Sequence, residues 1–345
     1  MKICKYDNFI PQNIAQYGVA RIGVYDSKGT RVGCFGLQNL QFPHYAKKLY
    51  SFGALSDVHI RHSTAKDDFK KALTFLTRDY KVDFTCICGD LISGSADNPQ
   101  TTELAEYKYY VDTYSPNTPV YAIAGNHESW GTLAVADIIE SYTGHPLYYS
   151  FTQGDDVFIM LGIKQDAPAK LFANGELQWL YETLEANRNK RCFVFEHVRP
   201  DDVCGNAYGI YSYDIWDGTE KTIFENLMRH YSNIILFHGH SHLKFNLQTK
   251  NNLANYDNIF GCHSVHIPSI SVPRTGDVTG ANSRVEIYAD SEGYVVEVYE
   301  NGIYLRGRDF AKGEFLPIAS YWLDTTLKDI PAKTFTDSTG TIKTN

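Results

Sequence analysis

The stretch Phe52-Gly53-Ala54-Leu55-Ser56-Asp57-Val58-His59 begins as an apolar, β-prone run and ends in a carboxylate and an imidazole. Four later stretches repeat the form. Phe84 to Cys88 gives way to Gly89-Asp90, and Val120 to Ala124 to Gly125-Asn126-His127-Glu128. Cys192 to Phe195 leads to His197, and Ile234 to Phe237 to Gly239-His240-Ser241-His242. Side chains just past the C-terminal ends of strands converge on the crevice where open α/β folds bind ligands. The residues gathered there are carboxylate, imidazole and amide donors, the mixture that holds two divalent metals side by side.

Between these stretches the pattern changes period. Ala65 to Tyr80 places Phe69, Leu73 and Leu76 on one helical face. Thr101 to Tyr114, Gly131 to Tyr142, Glu176 to Asn187 and Glu220 to Tyr231 are amphipathic in the same way. Strands alternating with helices over residues 49–272 predict an α/β core. Residues 1–48 read as a β-rich extension, with Arg21–Tyr25 and Arg31–Phe35 forming a hairpin across a Gly-containing turn. Residues 273–345 return to β signals at Arg284–Ala289, Tyr294–Tyr299 and Ile303–Leu305. They complete or flank the core and end in a frayed, polar stretch after Pro331.

Composition narrows the partners. The 345 residues carry 32 basic and 40 acidic side chains, a formal charge of −8, with no block of Lys or Arg. That disfavours a nucleic-acid surface built on long-range attraction. Bound metals would still attract an anionic ester locally. The seven cysteines have no framework spacing, and Cys86 and Cys88, alternating along one strand, read as packing thiols. No run approaches a membrane span, and Met1 to Pro11 lacks an apolar signal core, so a cytoplasmic setting is expected.

The ligand types carry the chemistry. Asp57 and His59, two apart on an extended segment, can face one pocket. Gly89 lets the backbone turn sharply before Asp90, whose two oxygens can bridge two cations. Asn126 offers a carbonyl oxygen, while His197, His240 and His242 offer imidazoles. This mixed set suits Mn, Fe or Zn rather than Ca. Two such ions can activate an attacking hydroxide and clamp the oxygens of an in-line displacement at phosphorus. His127, beside a ligand, could protonate the leaving alkoxide. Of the 12 histidines, His44, His62, His145, His230, His263 and His266 read as surface or hydrogen-bonded core residues. His238 reads as a packing residue or a support for ligands. Arg61 and His62 read as exposed loop residues within reach of a phosphate. The aromatics between Arg199 and Trp216 could wall a ring-binding cleft or simply cover the sheet edge.

The ordered set Asp57-x-His59, Gly89-Asp90, Gly125-Asn126-His127, His197 and Gly239-His240-x-His242 resembles the motif series of the calcineurin-like metallophosphoesterase superfamily. The resemblance implies a four-layer α/β/β/α sandwich, which the N- and C-terminal β segments read above would flank. It also implies two divalent metal ions, one on Asp57, His59, Asp90 and His242 and the other on Asp90, Asn126, His197 and His240. His127 would match the catalytic histidine. Leu91-Ile92-Ser93 replaces the Asp-Arg-Gly signature of the Ser/Thr phosphatases, and Ser93 stands where purple acid phosphatases carry a ligating Tyr. The similarity is then to compact bacterial and prophage-type phosphoesterases, with a small phosphodiester, cyclic-nucleotide-like, or a phosphomonoester as substrate. A nuclease-like phosphodiesterase and a phage-particle or binding component that retains the fold are the alternatives.

Overall fold

The structure is a computed structural model that describes residues 2–3, 21–25, 31–36, 47–94, 100–164, 171–200, 203–205, 218–245, 256–258, 260–275 and 285–327. A small antiparallel sheet comes first, made of β1 (Lys2–Ile3), β2 (Arg21–Tyr25) and β3 (Arg31–Gly36). Strands β2 and β3 pair as the expected hairpin; their turn lies outside the described residues.

Two six-stranded sheets form the body. Parallel strands β4 (Lys48–Leu55), β5 (Phe84–Cys88) and β6 (Val120–Ile123) start the first. The second gathers the hairpin β7 (Tyr149–Gln153) and β8 (Asp156–Leu161) with β9 (Cys192–Glu196) and β10 (Ile234–His238), then the short β11 (Tyr256–Asp257) and β12 (His263–His266). Here β8, β9, β10 and β12 are parallel. After a two-stranded ribbon of β13 (Arg274–Thr275) and β14 (Val285–Glu286), the chain returns to the first sheet. It adds an antiparallel meander of β15 (Glu292–Tyr299), β16 (Gly302–Asp309) and β17 (Glu314–Asp324), with β15 docked on β4. The resulting orders are β17-β16-β15-β4-β5-β6 and β11-β12-β10-β9-β8-β7.

The apolar runs are nearly continuous because both faces of each sheet are covered. Phe52, Phe84, Phe158, Phe193, Phe195 and Phe237 point between the sheets, where Phe52 and Phe84 stack at 5.3 Å and Phe195 and Phe237 at 4.9 Å. Cys86 and Cys88 share that interior as packing thiols. On the outer face, Leu55 and Ile87 meet helices α1 (Ala65–Thr74), α2 (Gln100–Tyr114) and α3 (Val135–Thr143). Ile159, Val194 and Leu236 meet α4 (Glu176–Ala186) and α5 (Gly218–His230) on the other side. Layers therefore run α/β/β/α, as expected.

Several boundaries differ from the sequence reading. The helix through Tyr80 is α-helical to Thr74, then π-helical, and Lys81 ends it in a left-handed conformation at φ 61°. Helix α3 starts at Val135, not Gly131, because residues 131–134 form a loop whose Leu133 amide and carbonyl are taken by the Gln100 side chain. Strand β17 is unpredicted. Pro317 has no amide to donate, and it is tolerated because β17 is an edge strand whose ladder with β16 shifts register between Arg306 and Arg308. At the strand ends far from the ligand-bearing turns, Arg191 grips Asp156 through two nitrogens (2.9 and 2.5 Å), and the Tyr50 hydroxyl donates to the same carboxylate at 2.6 Å. All three are buried, so this polar pin ties β4 to β8 and β9 across the sandwich.

Candidate metal centre

Each turn after β4, β5, β6, β9 and β10 delivers its polar residues to one point at the mouth of the sandwich. Five of the six non-glycine residues with positive φ among those described are Asp57, His59, Asp90, His240 and His242. Left-handed backbone costs a side-chain-bearing residue on the order of 1–3 kcal/mol and persists where surrounding structure enforces it. Asp57 and His59 thus share a pocket not through extended alternation, as their spacing predicts, but through left-handed turns at φ 54° and 42°. Glycines make the approach possible: a Cβ on Gly89 would meet His197 at 2.6 Å, and one on Gly125 would meet Asp90 Oδ1 at 2.2 Å. On Gly239 it would meet Ser56 Oγ at 1.9 Å.

The donor atoms fall into two overlapping groups. Asp57, His59, Asp90 and His242 bring one ligand atom each within 4.8 Å of one another, as do Asp90, His197 and His240. Asp90 belongs to both. Its Oδ2 lies 3.1 Å from His197 Nε2 and 3.7 Å from the Nε2 atoms of His59 and His127. Asn126 is buried on the turn after β6, and its Oδ1 makes no hydrogen bond among the described residues.

The imidazoles are held in a ligating tautomer. His59, His197 and His242 direct Nδ1 at the carbonyls of Ile92 (3.1 Å), Cys88 (2.6 Å) and Val272 (3.0 Å). Donation there puts the proton on Nδ1 and leaves each Nε2 lone pair facing the crevice. His59 Nε2 and His242 Nε2 then stand only 3.1 Å apart. Asp57 Oδ1 is 2.9 Å from His242 Nε2, yet it, Asp90 Oδ2 and His197 Nε2 are buried without a hydrogen bond among the described residues. Carboxylate oxygens and imidazole nitrogens crowded this closely around one point are what a shared cation satisfies. The residues fit a pair of divalent ions.

Electrostatics agree with that fit. Burial would raise the Asp57 carboxyl, but His242 and His197 outweigh it and hold it below the usual range. Asp90 is likewise lowered against burial by His197 and His127. Burial would lower His197, but Asp90 and Asp57 push it up to about 10. A cation answering those carboxylates would displace that proton, coupling metal uptake to proton release. Burial lowers His59 and takes His240 to about 3, keeping both imidazoles neutral as ligands must be.

A family model for calcineurin-like phosphoesterase matches residues 50–244, more than half the chain. The chain belongs to that family. As a calcineurin-like phosphoesterase it is a metal-dependent hydrolase of phosphoric esters. No curated protein matches its sequence. Its fold is similar to a dimetal phosphatase from Danio rerio, with a TM-score of 0.54 and 14% identity over 81% of this chain and 100% of that one. It is also similar to GAP50, described as the anchor in the inner membrane complex of Plasmodium, with a TM-score of 0.52 and 15% identity over 82% and 90%. Purple acid phosphatase PPD1 from yellow lupin (Lupinus luteus) seeds gives a TM-score of 0.52 and 13% identity over 88% and 59%. At such identities the likeness is one of fold.

One residue of this phosphoesterase's site has no spacing signal of its own. Glu128 is fully buried and accepts the backbone amides of Asp90 (3.2 Å), Gly125 (2.5 Å) and Ile92 (3.0 Å). Burial first, then the Asp90 charge, pushes its carboxyl up to about 8 despite those amides. Beneath the His240–His242 turn, His266 Nε2 lies 3.3 Å from Ser241 Oγ and His238 Nε2 3.1 Å from Ser264 Oγ, so both are hydrogen-bonded core residues. Arg61 is half exposed and reaches towards Glu103 at 4.0 Å, and His62 stacks on Tyr288 at 5.2 Å. A third acidic group, Asp290, Glu292 and Asp309, is answered by Lys244 and Lys312. His44 and the aromatics of 206–217 lie outside the described residues. No helix among the described residues is long and apolar enough to cross a membrane.

Proposed function

We propose that this protein hydrolyses a small phosphodiester, cyclic-nucleotide-like, or a phosphomonoester at a dinuclear centre of Mn, Fe or Zn. Asp57, His59, Asp90 and His242 hold one ion, and Asp90, Asn126, His197 and His240 the other. The observation that carries this reading is Asp90, whose carboxylate belongs to both donor groups. Bound there, the ions supply Lewis acidity to the phosphoryl oxygens and make an attacking water acidic.

The protein's own groups supply the rest. Peptide amides hold the Asp90 and Asn126 turns through Glu128, so the donors are set before substrate arrives. His127 directs Nδ1 at the Ser93 carbonyl (2.5 Å), leaving Nε2 towards the crevice, 3.7 Å from Asp90 Oδ2. His127 is the acid that delivers a proton to the leaving oxygen. The absent basic stripe and net charge of −8 favour a small ester over a polynucleotide.

The test compares hydrolysis of a chromogenic aryl phosphodiester and its monoester, with Mn²⁺ or chelator, by wild type and Asp90→Asn. Metal-dependent turnover that falls by more than about 100-fold in the variant is expected. Wild-type rates in Asp90→Asn would sink the assignment, and the diester-to-monoester ratio sets the substrate class.

A further inference from the structure

Trp130 is nearly half exposed (49%), yet it is held in place. Its indole packs on the His127 imidazole with ring centroids 3.7 Å apart, and its amide donates to the His127 carbonyl at 3.1 Å. Gly94 sits against the same turn, where a Cβ would meet the His127 carbonyl oxygen at 2.6 Å and Trp130 Cβ at 3.3 Å. Buried Gln100 pins both ends of the loop. It donates to the carbonyls of Glu128 (2.6 Å) and Leu133 (3.2 Å) and accepts the Leu133 amide at 3.1 Å. Two large apolar side chains, Trp130 and Leu133 (44% exposed), therefore face solvent from a fixed backbone beside His127.

Exposing a rigid indole leaves apolar surface in water, and a preorganised aromatic face is what a planar ligand stacks on at little entropic cost. The position decides which part of the ligand that is. If His127 serves the leaving oxygen, whatever is attached to that oxygen emerges next to Trp130. We propose that Trp130 is the platform for a flat aromatic ring carried by the leaving group, so the substrates are phosphoesters of ring-bearing alcohols. The inference rests on the hydrolytic reading above and adds the recognition element to it.

Ethyl, benzyl and adenosine 5′-phosphates, or their methyl diesters, test it. All three leave as primary alkoxides; benzyl adds a ring alone, and adenosine adds a ring on a ribose. Stacking on an aromatic is worth a factor of roughly ten in kcat/KM for the ring-bearing esters over ethyl. That preference is expected in wild type and in Trp130→Phe, and lost in Trp130→Leu, with Tyr109→Ala as the control for another exposed aromatic. A larger benzyl preference identifies a simple aryl group, and a larger adenosine preference a nucleoside. Equal losses on all three esters in Trp130→Leu would reduce Trp130 to a prop for His127 and overturn the proposal. Should wild type with Mn²⁺, Fe²⁺ or Zn²⁺ hydrolyse none of them, the small-ester reading fails, and ring recognition is read by fluorescence. Benzylphosphonate but not ethylphosphonate should quench the indole signal in wild type and not in Trp130→Phe; no such difference would overturn it.

Discussion

The Glu128 side chain accepts the backbone amide of Asp90 at 3.2 Å, and the same carboxyl takes the amides of Gly125 and Ile92. One buried group thereby ties the turn after β5 to the turn after β6, setting the distance between Asp90 and Asn126. Glu128→Ala should fold but hold metal and turn over ester about 10–100-fold less well. Glu128→Gln keeps two acceptor positions on one oxygen and should recover part of the loss. Metal content by atomic absorption together with kcat checks this; unchanged metal content in Glu128→Ala would refute the clamp.

His127 faces the crevice with Nε2 while Ser93 holds its Nδ1. His127→Ala should keep its metals and lose about 10²–10⁴-fold in rate with alkyl leaving groups. It should lose little with nitrophenyl esters, which need no proton. Equal losses on both classes would remove the acid role.

Arg191 and Asp156 are buried as a two-point ion pair with Tyr50 on the same carboxylate. Arg191→Met strands Asp156 in the core and should cost about 3–5 kcal/mol. Asp156→Leu combined with Arg191→Met should recover most of that, because no unpaired charge remains. Urea denaturation of the single and double variants measures both, and equal stabilities for the two would contradict the pairing.

Burial pushes the Glu292 carboxyl up to about 7, against the Phe245 amide and Lys244. Folded Glu292 therefore keeps its proton in a range where the unfolded chain has lost it. The stability this contributes is complete below the unfolded value near 4.5 and is lost as pH rises towards 7. Glu292→Gln should match wild type at pH 4.5 and exceed it progressively up to pH 7, by on the order of 3 kcal/mol. Thermal melts across that range test the sign, and a pH-independent difference would count against it.

The strands that carry the site are legible because burial on both faces makes them unbroken apolar runs, ended by Gly, Asp and His where the chain must turn. The convergence of Asp57, His59, Asp90, Asn126, His197, His240 and His242 follows from those ends. The backbone that achieves it does not: spacing cannot reveal left-handed φ at Asp57 and His59. Strand β17 hides behind Pro317, whose missing amide speaks against a strand except at an edge. The role of Glu128 is equally hidden, since its partners are backbone amides that leave no mark on residue type. Trp130 reads as one aromatic among many until its packing on His127 is seen.

The sandwich is closed differently at its two ends. At one, the pin of Tyr50, Asp156 and Arg191 is part of the covalent chain and cannot be withdrawn. At the other, the donors arrive from opposite sheets, Asp57, His59, Asp90 and Asn126 from one and His197, His240 and His242 from the other. Ions bound there as proposed would add a detachable clasp to the hydrogen bonds that already join the two halves, His197 Nδ1 to the Cys88 carbonyl and the His240 amide to Asp57 Oδ2. Starving such a protein of metal would then do more than idle it: the stability that bound ions add to the folded state would be lost, and transiently opened chain would be cut more often by proteases. Metal supply would set how long each molecule survives as well as whether it works.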